Sequence, residues 1–540
     1  MKKIFKYLFI GAFGLLTLSS CSSDMLETEP TDSMSGSTFM SDATKALVPL
    51  NGIYRSMYTA GWSTGGNTHQ CFGISAYNLM AEVMGEDHIM GAQGSGWFWF
   101  DAVYNVKSRY TSSSWRSYDL WVAYYTWISN ANYIIAGEET MAGSPEDVGY
   151  VLGQAYAIRA YSYFMLAQTF ARTYKGHESE PCVPLYTEPT FTTTTGQPRS
   201  TVAEVYKQID SDIAKACEYL AKSPTQREPS HIGYGVALGI KARIALVEEN
   251  WTEALNAAKG AIDASKCNIL EVKDFIGLND VSKGNVMWGA KILSDQAGMY
   301  ASLMTHMSVE GAYGERAPKQ ISPDLYNKMS DTDARKNGIM VAKISDKTGE
   351  IVGYNHTATS GWWVPADSVN SFYGNSAAYV QNKFFFSNLQ TWEGDYIWMR
   401  VEEMYLTAAE ALCRLGQDPE ARQYLMALMS KRDPNYTCSK TGTALGALTT
   451  DYTGSLLEEI LIQRRLELWG EDGRIYTIRR LHQGFRRTTA LGWPSTALVA
   501  NHNTDDPESF AWVLTIPQAE FDGNENMDAA KDQNPIGDTK

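Results

Sequence analysis

Positive charge is in short supply. Lys and Arg total 46 against 61 Asp and Glu, a formal net charge of −15. An acidic surface repels phosphate backbones, which argues against nucleic acid as the main partner, and it offers no polybasic patch to anionic lipid. Cysteine is sparse, and none of the seven stands in a CxxC pair. The eight histidines are scattered; His69 and Cys71 lie two apart, with no HxxxH or CxxC companion. No metal and no other cofactor is expected on that basis. There is no Walker loop, no GxSxG elbow and no Rossmann glycine fingerprint. After the first 20 residues no stretch approaches 18 consecutive apolar residues, so no later segment is expected to cross a bilayer as a helix.

What is present begins with an export signal. Lys2, Lys3 and Lys6 form a basic start, Tyr7 to Leu18 is apolar, and small residues follow. The segment ends in Leu18-Ser19-Ser20-Cys21, which resembles a lipobox, in which the cysteine thiol takes the lipid and becomes the first mature residue. Cys21 is therefore the expected lipidation site, and several acyl chains would make the anchor stable. Residues 1–20 read as a lipoprotein signal peptide, 21–40 as a lipidated tether rich in Ser, Thr, Asp and Glu, and 41–540 as a single domain. Removing the first 20 residues takes away three lysines and moves the net charge from −15 to −18. Cys217 and Cys413 fall on apolar helix faces and read as buried free thiols. Disulfide pairing among the six cysteines after Cys21 stays open.

With 540 residues and 44% hydrophobic composition the chain can bury a large core. Most of the periodic signal is helical. Helices are expected over Ala43–Tyr58, Trp115–Ile135, Glu146–Phe170, Thr201–Leu220 with Ser200 as N-cap, Gly235–Glu248, Thr252–Ala264, Val401–Leu415, Pro419–Ser430 and Leu456–Trp469. Two tight pairs place small residues at matching offsets: Ala242, Ala245, Ala254 and Ala261 in one, Ala409, Leu412, Ala421 and Leu428 in the other. That spacing resembles the tetratricopeptide pattern, in which small residues let paired helices approach closely. Thr59–Asn105 and Gly284–Gln390 are long, aromatic-rich insertions with weak helical periodicity, of the kind that carries function.

Several segments, in order along the chain, resemble signature segments of the RagB/SusD family. They are the Cys-acidic-Pro opening Cys21 to Pro30, the helix Gln154 to Leu166, Val183-Pro184-Leu185, and Arg400 to Ala411. Leu457 to Leu481, Leu514 to Glu520 and the closing Gln533-Asn534-Pro535 complete the set. Glu471-Asp472-Gly473, Gln463 and Ile475-Tyr476-Thr477 depart from the family pattern. The resemblance implies a mostly α scaffold of tetratricopeptide-like helix pairs with long irregular insertions, one face of which binds glycan. It further implies an outer-membrane, lipid-anchored, non-catalytic protein facing the cell exterior. Such a protein delivers oligosaccharide to a SusC-like TonB-dependent transporter.

The residues support a glycan reading independently. Trp97-Phe98-Trp99-Phe100 followed by Asp101 cannot all face one core if extended, because alternate side chains point opposite ways. Trp97 and Trp99 would then share a face, and an indole suits the flat C–H face of a pyranose while planar polar groups take its hydroxyls. Ligand contacts are therefore expected from Trp97, Trp99 and Asp101, with Trp62, Trp362, Trp363, Tyr300 and Tyr313 as further candidates; Val286-Met287-Trp288 reads as a buried strand with Trp288 in the core. Glu82, Glu86, Asp87, Glu402 and Glu403 offer carboxylate pairs of the sort a glycosidase needs, but any long acidic sequence does so. Arg464, Arg465, Glu467 and Arg474 read as structural ion pairs. The competing readings are the same fold binding peptides, a surface glycosidase, and a helical scaffold binding only proteins.

Overall fold

The computed structural model describes residues 40–61, 68–91, 93, 96–105, 111, 114–271, 275–344, 346–347, 351–355, 379–499 and 502–535. Helix α1 (Ala43–Ser56) is capped by the Asp42 side chain, which accepts from the Lys45 amide at 3.1 Å. The insertion that follows holds α2 (Ile74–Val83), β1 (His88–Met90) and the single turn α3 (Trp99–Ala102). Helix α2 is a departure from expectation. Nine of its ten residues are buried, so its apolar residues encircle it and leave no stripe for a periodicity argument to find.

The scaffold is a run of packed helices: α4 (Trp115–Ile135), α5 (Pro145–Phe170), α6 (Val202–Ala221), α7 (Tyr234–Val247) and α8 (Trp251–Ser265). Each packs on its neighbour in sequence, and α8 then meets α12 (Val401–Arg414), which pairs with α13 (Asp418–Met429) and α14 (Leu456–Glu467). The matched small residues of the two hairpins are all buried at their crossings. Glycine does the same elsewhere: a Cβ on Gly153 of α5 would lie 2.6 Å from Leu220 Cγ of α6. Helix α5 starts at Ser144-Pro145 as expected. Helix α6 is capped by Thr201 and not by Ser200, because Thr201 and Glu204 form a reciprocal capping box.

Strands β2 (Pro181–Pro184) and β3 (Arg199–Thr201) pair antiparallel just ahead of α6. The second insertion carries the strand expected at Val286-Met287-Trp288 and others that helical periodicity could not reveal. Strand β4 (Val286–Ala290) pairs antiparallel with β9 (Tyr396–Arg400), which runs directly into α12. Trp288 on β4 is fully buried, as expected. Strands β5 (Lys319–Ile321), β6 (Ile339–Ile344), β7 (Ile351–Asn355) and β8 (Tyr379–Gln381) join β1 in an antiparallel sheet ordered β1-β5-β8-β6-β7. The short helices α9 (Leu303–Met307), α10 (Ala312–Arg316) and α11 (Pro323–Tyr326) connect these strands. Helices α15 (Arg474–Arg480), α16 (Gln518–Gly523) and α17 (Ala529–Asp532) close the chain.

Buried ion pairs tie the insertions to the scaffold. Glu82 on α2 accepts from the backbone amides of Gly470, Gly473 and Arg474. Asp87 takes a two-pronged contact from Arg465, both bonds 2.7 Å, and Glu86 pairs with Arg474 at 2.7 Å. Burial alone would raise the Glu86 carboxyl, but Arg474 and Arg465 outweigh it and hold it down to about 2. Glu467 lies among Arg335, Arg400 and Arg432, and Glu402 joins the same group. Gln463, one of the family departures, keeps its place in this network by accepting from Arg335 at 2.5 Å. The six described cysteines are in no disulfide; Cys413 is buried, whereas Cys217 is only half-buried.

Candidate functional site

The segment from Gly96 to Ala102 is a tight turn, not the extended run expected from its sequence. Phe98 adopts a left-handed backbone conformation, φ 61°, and Trp99 opens α3. A phenylalanine there is strained, and packing must hold it. Phe98 is fully buried, its ring edge-on to His306 at 4.9 Å, and its amide donates to Gln70 Oε1 at 2.5 Å. Arg116, at the start of α4, secures the other side. Its guanidinium reaches Gln70 and clasps Asp101 with bonds of 3.0 and 2.7 Å.

This turn sorts the predicted residues. Asp101 is buried and committed to Arg116, so its carboxylate works as a strut beneath the turn. Trp99 is buried in the core, 7% exposed, and does not share a face with Trp97 because a helical step has replaced the strand alternation. Trp97 is half-buried and reaches the surface. Trp62, Trp362, Trp363 and Cys21 lie outside the described residues.

Around Trp97 three separate segments bring their rings together. His69 lies 4.8 Å from the Trp97 ring and stacks on Tyr300 at 5.6 Å with an interplanar angle of 9°. Tyr313, on α10, lies 5.5 Å from Trp97 and 5.8 Å from Tyr300, and its hydroxyl is 2.6 Å from His69 Nδ1. The buried Trp97 indole N–H faces the Tyr313 hydroxyl without the geometry of a full hydrogen bond. Tyr300 is 47% exposed, and the backbone that presents it is pinned, since Thr305 Oγ1 donates to the Met299 carbonyl at 2.7 Å.

His306 supports the patch from below. Its Nε2 donates to the His69 carbonyl at 2.7 Å, and its ring stacks under Tyr313 at 5.2 Å. The carbonyl can only accept, so Nε2 carries the proton and the buried Nδ1 is bare. Burial, with the nearby Lys319 charge, pushes His306 down to about 3, and the ring is neutral at ordinary pH. The result is an aromatic surface of tilted and stacked rings with an imidazole and two phenol groups at its edges. Apolar C–H faces can lie on the rings while hydroxyls meet the polar edges. Sequence reasoning named Trp97, Tyr300 and Tyr313 but considered His69 only as a metal ligand. Besides Trp97, its partners come from more than 200 residues away in the chain, at Tyr300, His306 and Tyr313.

The carboxylates weighed for glycoside hydrolysis lie elsewhere. Glu82, Glu86, Asp87, Glu402 and Glu403 are all buried, and each is held by backbone amides or arginines. Among the described residues no cluster of His, Cys, Asp and Glu suits a metal ion, and no helix is long and apolar enough to cross a membrane.

Comparison with known proteins places this geometry in context. Residues 76–246 match a family model described as SusD-like, starch-binding and associating with the outer membrane, and residues 285–536 match the SusD family model. A SusD-like carbohydrate binding protein from Bacteroides vulgatus superposes with a TM-score of 0.72 at 22% identity, covering 90% of this chain and 97% of that one. A SusD superfamily protein from Bacteroides thetaiotaomicron gives 0.66 at 22% identity, covering 92% and 100%. Surface glycan-binding protein A from Bacteroides uniformis gives 0.64 at 16% identity, covering 91% and 99%. No curated protein matches.

Proposed function

This chain belongs to the RagB/SusD family, and from that premise we propose that it is a cell-surface oligosaccharide-binding protein whose ligand lies on the Trp97, Tyr300 and Tyr313 rings. SusD-like families are binding proteins of the outer membrane, and carbohydrate binding in general follows from membership. The observation that carries the finer reading is the aromatic surface itself. Rings from around residues 69 and 97 meet rings from residues 300–313, more than 200 positions further on, to present ring faces at a half-open surface, an arrangement that a core has no need of and that a sugar ring fits. A peptide site would instead offer main-chain partners and charged pockets. No turnover is expected, because the carboxylates of this chain that sequence reasoning weighed are locked in buried pairs away from the rings.

The remaining elements of the proposal follow from sequence and family. Cys21 carries the lipid, the protein faces the cell exterior, and the bound oligosaccharide passes to a SusC-like TonB-dependent transporter. Isothermal titration against a panel of oligosaccharides tests the binding site. Trp97→Ala should cost about 2 kcal/mol of affinity, roughly thirtyfold, with the ligand recovered at unchanged chain length. Unchanged affinity in Trp97→Ala would remove the ligand from this surface. For the anchor, Cys21→Ser should move the protein from the membrane pellet to the soluble fraction at high salt; a variant that still pellets is not held by lipid.

A further inference from the structure

A second cleft lies on the scaffold itself. Its walls are the outer face of α4, the segment from Tyr186 to Gly196, and α16 with the residue after it, and it encloses a cavity of about 520 Å³. That is within the range of small-molecule sites, roughly 300–1,000 Å³. It shares no residue with the Trp97 surface.

The cleft is held open by bonds at its rim. Asn132 Nδ2 donates to the carbonyls of Tyr186 and Glu188 at 2.9 and 3.1 Å, and the Tyr133 hydroxyl donates to the Thr190 carbonyl at 2.6 Å. The Phe191 amide closes the turn onto Thr194 Oγ1 at 2.8 Å. These bonds fix the loop, yet the Phe191 ring is left 65% exposed, the most exposed aromatic among the described residues. Tyr125 and Tyr186 form the floor, with ring centroids 6.0 Å apart and nearly perpendicular. Opposite them, Glu520 is oriented by two donors, Trp121 Nε1 at 3.1 Å and Asn524 Nδ2 at 2.7 Å. Thr126, Ser129 and Asn130 line the α4 wall, and their side chains make no hydrogen bond to another described residue.

We propose that this cleft is a second carbohydrate site, one that takes a short neutral oligosaccharide. The chemistry selects that class. Tyrosine and phenylalanine faces suit the C–H faces of sugar rings, while unpaired hydroxyls, an amide and an oriented carboxylate suit sugar hydroxyls. The lining contains no lysine, arginine or histidine and one carboxylate, Glu520. An anionic ligand therefore finds no counter-charge there, and an apolar one would strand the α4 polar groups away from water. Two sites on one chain would let a long glycan be held at two points, which raises avidity without tighter contact at either.

Saturation-transfer NMR with neutral hexaoses of glucose, xylose, mannose and galactose, and with galacturonic acid hexaose as the anionic comparison, tests this. Phe191 and Asn130 are both exposed, so Phe191→Ala combined with Asn130→Ala should leave Tm unchanged. At least one neutral hexaose should still receive saturation from Trp97→Ala, and that transfer should fall at least tenfold when Phe191→Ala and Asn130→Ala are added. Transfer lost on Trp97→Ala alone overturns the second site and leaves the first standing. Transfer that survives all three substitutions, or that only the anionic hexaose receives at this cleft, also overturns it. Transfer abolished by Phe191→Ala and Asn130→Ala alone supports this cleft and removes the ligand from Trp97. A wild-type protein silent toward every neutral hexaose overturns both readings together.

Discussion

At the residue scale, two tryptophans one residue apart have opposite fates, and the difference is measurable. Tyr300 and Trp97 meet solvent, whereas Trp99 is packed in the core. Trp99→Ala should lower folding stability by about 3–5 kcal/mol, the usual cost of truncating a buried large aromatic. Tyr300→Ala should leave Tm nearly unchanged and weaken oligosaccharide binding by at least tenfold. Thermal denaturation and titration calorimetry on the same pair of variants separate the two roles. A Tyr300→Ala protein that melts well below wild type would make this ring a packing residue. A Trp99→Ala protein with unchanged Tm would remove it from the core.

At the element scale, the turn beneath Trp97 depends on one buried pair. Asp101 and Arg116 are both buried and satisfy each other through two bonds. Removing one partner leaves a buried charge alone, which typically costs about 3–5 kcal/mol. Asp101→Ala should therefore lower Tm strongly and weaken binding as well, because Phe98 loses the support that keeps its left-handed backbone in place. Restoring volume without charge on both sides, with Asp101→Leu and Arg116→Met together, should recover much of the Tm. A double variant no more stable than Asp101→Ala would mean that the pair's partners, and not its charge balance, hold the turn.

The same scale shows what periodicity can and cannot reach. Most scaffold helices are amphipathic or carry side-chain caps, though α7 has neither, and their spans follow the sequence to within a residue or two; α4 matches Trp115–Ile135. Helix α2 was hidden because it is buried on nearly every side. The strand at Val286-Met287-Trp288 was legible from its apolar run, but the other strands of the second insertion were hidden because they are short and pair with segments far away, such as His88 with Ile321. The Trp97 turn misled because alternation assumes extension, and Phe98 breaks it with a positive φ.

At the scale of the whole molecule, buried histidines make stability depend on pH. Burial holds His306 down to about 3 and His231 down to about 4, and pushes His88 well below the ordinary range. All three are neutral in the folded state near neutral pH. As pH falls below about 6.5 the unfolded chain takes up protons at these histidines that the folded chain refuses, so their contribution to stability falls with pH through that window; Glu248, which burial and the neighbouring Asp210 raise to about 8, acts in the opposite direction over part of it. Each such histidine contributes a slope approaching about 1.4 kcal/mol per pH unit. The arginine-held Glu86, lowered to about 2, acts in the same direction at lower pH, once the unfolded carboxylate begins to protonate. His306→Gln keeps a donor for the His69 carbonyl but cannot titrate. Its Tm should decline less steeply than wild type between about pH 6.5 and pH 4; an unchanged slope would mean that His306 titrates normally in the folded protein.

The sequence by itself determined the mostly α scaffold, the helix hairpins and the family; it offered Trp97, Tyr300 and Tyr313 among its aromatic candidates but ranked the buried Trp99 beside Trp97. These rest on local information: periodicity, small-residue spacing, and ordered motifs, each legible within a few turns of chain. Only the tertiary structure decided which aromatics reach the surface and what surrounds them. Exposure of Trp97, burial of Trp99 and commitment of Asp101 follow from a turn set by Gln70 and Arg116. Two of the ring partners of His69, Tyr300 and Tyr313, come from a segment more than 200 residues away. An aromatic surface assembled from distant segments has no local signature, because its defining contacts are absent until the chain has folded.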